Sequence, residues 1–126
     1  MSKVFTDVEV FLQACGQKHA NTPVEPNDLS DLYLNLIEEE YTEFTEAVNA
    51  NDDAEQLDAC FDMMWVIIGY MKARGWDCEN AWDEGAISNL IKIDPVTGKV
   101  IRREDGKILK PEGWKPPNFQ KFVKIA

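Results

Sequence analysis

Two long segments of this 126-residue chain are spaced as helices, and both put carboxylates where that spacing calls for apolar side chains. One contains "LIEEEYTEFTEA", residues 36–47, and the other "EQLDACFDMMWVIIG", residues 55–69. At ~100° per residue, Leu29, Leu32, Tyr33, Leu36, Phe44 and Ala47 define one face of the first segment. Glu40 and Glu43 fall in the middle of that face, Glu39 lies at its edge, and Glu38 points the opposite way. The second segment is apolar almost all round from Phe61 to Met71, the mark of a buried helix. Along one side of it run Glu55, Asp58, Asp62, Trp65 and Gly69.

A solvated acidic face would sit opposite the apolar residues, not among them. Buried acids paired with Lys or Arg would need partners, and neither segment holds a basic residue before Lys72. An unpaired buried carboxylate is costly or stays protonated. Five acids converging from two helices, Glu40, Glu43, Glu55, Asp58 and Asp62, are best neutralised by a divalent cation. Hard oxygen ligands of this kind suit Mg²⁺ or Mn²⁺. A bundle di-iron site would need Glu-x-x-His pairs, yet the single histidine, His19, has Gly16 three residues before it. An EF-hand would need D-x-D-x-D-G spacing, which "NDDAEQLD" lacks.

Around these segments the chain reads as helices with clear ends. "DVEVFLQACGQ" spaces Val8, Phe11, Leu12 and Cys15 as a helix from about Thr6. Asn27 or Asp28 can cap the second helix, which runs to about Asn49. Asp52 with Glu55 has capping-box spacing for the third, and Gly75 fits its end after Arg74. "WDCENAWDEGAISNLIK" reads as a fourth helix capped by Asp77. From Asp94 the pattern changes. Turn signals at Pro95–Gly98 and Asp105–Gly106 flank short alternating runs and predict a small β-hairpin. "PEGWKPPNF" carries three prolines and predicts an extended tail. The expected fold is all-α: a four-helix bundle with a C-terminal hairpin and tail, one domain over residues 1–126.

Charge and cysteines narrow the function. The net charge is -10, so the chain should repel nucleic acid polymers. Residues 1–91 hold 19 acids and 4 bases, whereas residues 92–126 hold 4 acids and 9 bases. An acidic body thus carries a basic tail. Cys15, Cys60 and Cys78 form no CxxC pair, so a zinc site or disulfide framework is not expected. "MSKVFTDVEVF" lacks the apolar run of a signal peptide, and "MMWVIIGYM" is too short to span a bilayer. A cytoplasmic protein is expected, in the host cytoplasm if the chain is phage-encoded. His19 reads as a surface or loop-packing residue, and Trp65, Trp76, Trp82 and Trp114 as core or interface residues.

Taken in order, "LIEEEYTEFTEA", "EQLDACFDMMWVIIG", "ISNLIK" and "REDGKILKPEGWKPP" resemble the all-α nucleoside triphosphate pyrophosphohydrolases, the MazG-like and phosphoribosyl-ATP pyrophosphohydrolase-like proteins. The likeness covers roughly residues 5–118. It implies Mg²⁺-dependent hydrolysis between the α- and β-phosphates, giving a nucleoside monophosphate and pyrophosphate, by homodimers or homotetramers. Glu40 and Glu43 take its ExxE positions. Glu55 and Asp58 fit its ExxD positions, with Asp58 and Asp62 as the alternative pair one turn on. Glu39 matches the first glutamate of EExxE, and Glu39 or Glu43 is the candidate general base. The S-N-x-x-K pattern makes Asn89 and Lys92 candidate phosphate contacts, and Arg102, Arg103, Lys107 and Lys110 can screen the phosphates and close over the site. Tyr33 stands where many relatives have arginine, which leaves a lost phosphate or subunit contact, or a tyrosine serving the base. A phosphoribosyl-ATP or dUTP-type hydrolase, and a non-catalytic helical interaction module, are the alternatives.

Overall fold

The structure is a computed structural model and describes residues 3–126. Four helices, α1 (Lys3–Ala14), α2 (Asp28–Asn49), α3 (Asp53–Ala73) and α4 (Cys78–Leu90), are followed by a single turn, α5 (Gln120–Val123). The fold is all-α, and none of the described helices is long and apolar enough to cross a membrane.

The central element is the α2–α3 hairpin. Its turn is tight because Asn51 takes a left-handed φ of 55°, a conformation asparagine tolerates. Asp52 then starts α3 by accepting a hydrogen bond from the Glu55 N–H at 3.1 Å. At the far end Asn27 caps α2 through a reciprocal box. Its Oδ1 accepts from the Ser30 N–H at 3.0 Å, and Ser30 Oγ accepts from the Asn27 N–H at 2.8 Å. Asn27 Nδ2 also donates to the Ala73 carbonyl at 3.1 Å, while Arg74 Nε donates to the Val24 carbonyl at 3.0 Å. The hairpin is thus fastened at both ends.

α1 lies on one side of the hairpin. Phe5, Val8 and Leu12 bury there with Tyr33, Val66 and Ile68, and Leu29, Leu36 and Trp65 pack around them. The helix begins earlier than its spacing suggests, and Phe5 takes the core place expected of Phe11. Phe11 instead meets Trp65 edge-on with ring centroids 5.5 Å apart.

Tyr33 is only 4 % exposed, and its hydroxyl donates to Gln17 Oε1 at 2.7 Å. It is part of the core cluster. Its ring packs against Gly69, where an added Cβ would overlap the ring carbons. Gly69→Ala is therefore expected to destabilise the protein by about 1–3 kcal/mol through overpacking, even after a propensity gain of up to ~1 kcal/mol. Chemical denaturation checks this, and an unchanged midpoint would show that the ring moves aside freely.

Two expectations change. The hairpin after Asp94 does not form. Instead, two successive loops are each closed by one antiparallel bridge, Ile93 with Val100 and Arg102 with Ile108. Residues 101–113 are exposed throughout, so there is no buried face to reward a longer ladder. The second change concerns α3, which is not buried all round: Leu57 is 72 % exposed, Met64 57 % and Phe61 55 %. α2 covers one side of α3 and α1 another, and a third side is left bare.

The tail over residues 111–119 is non-helical, as its prolines suggest, and it folds back on α4. Asp77 caps α4 through the Asn80 N–H at 3.3 Å. Cys78 is buried beside this cap, and burial pushes its thiol above the ordinary range, which keeps it inert.

Candidate active site

Glu40 and Glu43 lie one turn apart on α2, and Asp62 faces them from α3. One carboxylate oxygen from each lies within 4.8 Å of the others. Glu40 and Asp62 are half-buried and Glu43 is exposed. Glu40 Oε2 is buried and has no hydrogen-bond partner. Among the described residues, none of the three is ion-paired with Lys, Arg or His.

The electrostatics follow from this crowding. Burial pushes the Glu40 carboxyl up to about 7, and its hydrogen bond with Glu43 and the charges of Asp62, Glu43 and Asp58 push the same way. Burial also raises Asp62, with the charges of Asp58 and Glu43 adding to it, while its bond to Glu40 opposes them. The cluster thus retains a proton because nothing nearby supplies positive charge. An orphaned oxygen in an all-carboxylate set fits a hard divalent cation. Glu40, Glu43 and Asp62 are the residues that would hold it.

Glu55 and Asp58 stand beside this cluster. With Glu43, Glu46, Ala47, Ala50, Asp52 and Ala59 they line a cleft of about 360 Å³ between α2 and α3. Both are exposed, whereas the helical phase puts them in a core. The reason is the small side chains at this level: Ala47 and Ala59 are buried at the contact and leave the carboxylates reaching into solvent. Glu39 lines a second depression on α2 with Asn35, Glu38, Thr42, Glu43 and Glu46. Glu38 shares that depression, although the helical phase turns it away. Glu43 and Glu46 border both hollows. Glu46 continues the Glu39, Glu43 spacing, which is its one signal in the sequence.

The tail bases Lys92, Arg102, Arg103, Lys107 and Lys110 line neither of these hollows, nor does Asn89. Arg103 Nε is bonded to Asp105 Oδ1 at 3.1 Å, and Arg102 donates to the Gly106 carbonyl at 3.2 Å. Lys107 is exposed. Lys92 Nζ donates to Asn89 Oδ1 at 3.1 Å, which brings the S-N-x-x-K pair into contact.

Residues 8–89, well over half of the chain, match the family described as phosphoribosyl-ATP pyrophosphohydrolase. The chain belongs to that family, and so to the MazG-like all-α NTP pyrophosphohydrolase superfamily. The matched stretch takes in α2, α3 and the whole carboxylate cluster and ends before Lys92 and the basic tail. No curated protein matches the chain. The family makes the chain a pyrophosphohydrolase; its substrate is a separate question.

Proposed function

We propose that the protein is a Mg²⁺-dependent nucleoside triphosphate pyrophosphohydrolase, with Mn²⁺ as the alternative ion. It cleaves a (d)NTP between the α- and β-phosphates and releases a (d)NMP and pyrophosphate, residues 1–126 acting as one cytoplasmic domain. The observation that carries this reading is the orphaned Glu40 Oε2 within a three-carboxylate cluster that lacks basic partners. Such a cluster repels a polyphosphate by itself. A divalent ion held there would supply positive charge for the phosphates and make a water more acidic. Glu40, Glu43 and Asp62 hold that charge in place, with Asp58 or Glu55 completing the set from the cleft. Glu43 or Glu39 positions the attacking water and accepts its proton. Asn89 and Lys92 take the phosphates, with Lys110, Lys107, Arg102 and Arg103 in support.

Self-association is part of the proposal. Leu34, Tyr41 and Val48 on α2 are exposed at seven-residue intervals, and Leu57 and Met64 repeat that interval on α3. Exposed apolar residues at this spacing suit helix packing against a second copy, as a homodimer or homotetramer. The second functional reading, a phosphoribosyl-ATP hydrolase, is favoured by the family's own description.

Pyrophosphate release across (d)NTPs, dUTP and phosphoribosyl-ATP, with Mg²⁺ or Mn²⁺ and then with excess EDTA, tests the proposal. Release from a (d)NTP that disappears in EDTA, by a protein that sediments larger than one chain, is the expected result. Release from phosphoribosyl-ATP alone selects the second reading. Full activity in EDTA overturns the metal-dependent reading, and no release from any nucleotide overturns the catalytic proposal and leaves a helical interaction module.

A further inference from the structure

At the C-terminal end of α4, Trp114 gathers charge. Ser88 lies in the last turn of α4, where helix carbonyls lose their intrahelical partners. Its carbonyl accepts a hydrogen bond from Trp114 Nε1 at 2.8 Å, which fastens the tail to the helix. Further along, the Asn118 N–H donates to Glu84 Oε1 at 3.1 Å, Lys121 pairs with Glu84, and Phe119 packs over Gly85. The Asn118 bond, with Lys121, holds the Glu84 carboxyl below its usual range. The tail is therefore bonded along α4 at several points, and the indole has a fixed place.

Two lysines from different segments converge on that indole. Lys92 Nζ lies 5.1 Å from the ring centroid and Lys110 Nζ lies 4.5 Å from it. The two ammonium groups are thus no further apart than the sum of those distances. Alone they would repel; the ring's π-electrons attract each of them. The negative end of the α4 dipole attracts them too, but it amounts to about half a charge against two. The spot stays positive, in a body that is strongly acidic. Asn89 adds a polar side chain bonded to Lys92, and Asn89 and Lys110 are open to solvent.

We propose that Trp114 is a positioning residue that holds Lys92 and Lys110 as a two-ammonium clamp for the oxygens of a polyphosphate. A flexible lysine loses rotamer freedom when it grips a ligand, and the indole removes much of that loss in advance. Two separated cations suit a diphosphate better than a single carboxylate. The clamp rests on the reading that Asn89, Lys92 and Lys110 meet substrate phosphates, and it adds the residue that makes them act together.

The probe is inorganic pyrophosphate, titrated calorimetrically into the full chain at low salt with EDTA present, so that the carboxylates contribute nothing through metal. Trp114→Leu is expected to weaken binding about 10-fold, the loss of one charge-assisted contact. Trp114→Phe keeps a ring and should restore most of that loss. Lys110→Ala, which leaves the tail's fastening in place, should weaken binding by a similar factor. In the double variant Lys92→Ala with Trp114→Leu, the losses should fall short of additive, because one residue acts through the other. Unchanged binding in Trp114→Leu, equal losses for Leu and Phe, additive losses in the double variant, or no pyrophosphate binding by the parent would each overturn the clamp. Nucleotide hydrolysis with unaltered pyrophosphate binding in Trp114→Leu sinks the clamp alone. Trp114-dependent binding without hydrolysis of any nucleotide sinks the catalytic reading alone.

Discussion

Glu40→Gln lowers the rate of pyrophosphate release about 10²-fold or more, the usual cost of losing one electrostatic group aimed at the reacting centre. Glu43→Gln does the same. Both substitutions keep the volume and remove a carboxylate from the cluster with Asp62. The accompanying stability change separates a ligand from a structural residue. Without metal, above about pH 8, Glu40→Gln leaves the melting temperature equal or higher, because it removes a crowded charge that no base neutralises. A structural carboxylate would show the reverse, with activity falling only as far as the folded fraction. Glu38→Gln changes turnover little. If Glu38 proved as critical as Glu43, the catalytic centre would lie in the depression on α2 and not at the α2–α3 cluster.

The second large effect is on stability against pH. Glu40 has a folded value of about 7 against 4.5 when unperturbed, so the native state holds its proton over a range in which the unfolded chain has lost it. Stability falls with pH wherever the native state binds more protons. The metal-free protein is therefore most stable below about pH 4.5 as far as this group is concerned, loses stability as pH rises, and has lost the whole contribution above about pH 7. Asp62 is raised as well and acts in the same direction. Saturating Mg²⁺ should reverse the loss at neutral and alkaline pH, since an ion bound only by the native state stabilises it by mass action. At low pH, protons hold the same oxygens and Mg²⁺ should change little. Thermal melts across this range, with EDTA and with Mg²⁺, read both curves. A metal-free melting temperature that climbs between pH 5 and 7 would mean that the cluster is not the strained group it appears from its geometry.

Much of this was legible in the sequence because helix ends are local. Asn27, Asp52 and Asp77 announce themselves by residue type and spacing, and each makes its capping bond. The pairing of Glu40 and Glu43 needs only the helical period, whereas spacing leaves Glu55, Asp58 and Asp62 all open on the facing helix, and it is the structure that brings Asp62 to the pair. What failed is non-local. The apolar circumference of α3 says that something covers it, but not that one side stays bare within a single chain. Tyr33 belongs to the apolar face by its spacing, but only Gly69 across on α3 shows what space its ring fills. The strands after Asp94 have the right alternation and the right turns. A ladder also needs a face to bury, which exposed residues such as Ile101 and Ile108 do not find.

The two fastenings of the α2–α3 hairpin have a mechanical consequence. One end is clasped by Asn27 to Ala73 and Arg74 to Val24, and the other is closed by the Asn51 turn. Glu40 and Asp62 lie between them, with Ala59 and Val66 buried on either side of Asp62 along α3. Repulsion among the carboxylates cannot be relieved by letting the helices drift apart, as it would be in a hairpin hinged at one end. A frame clamped at both ends answers a change of charge by exchanging a small ion, H⁺ or a metal, and not by changing shape.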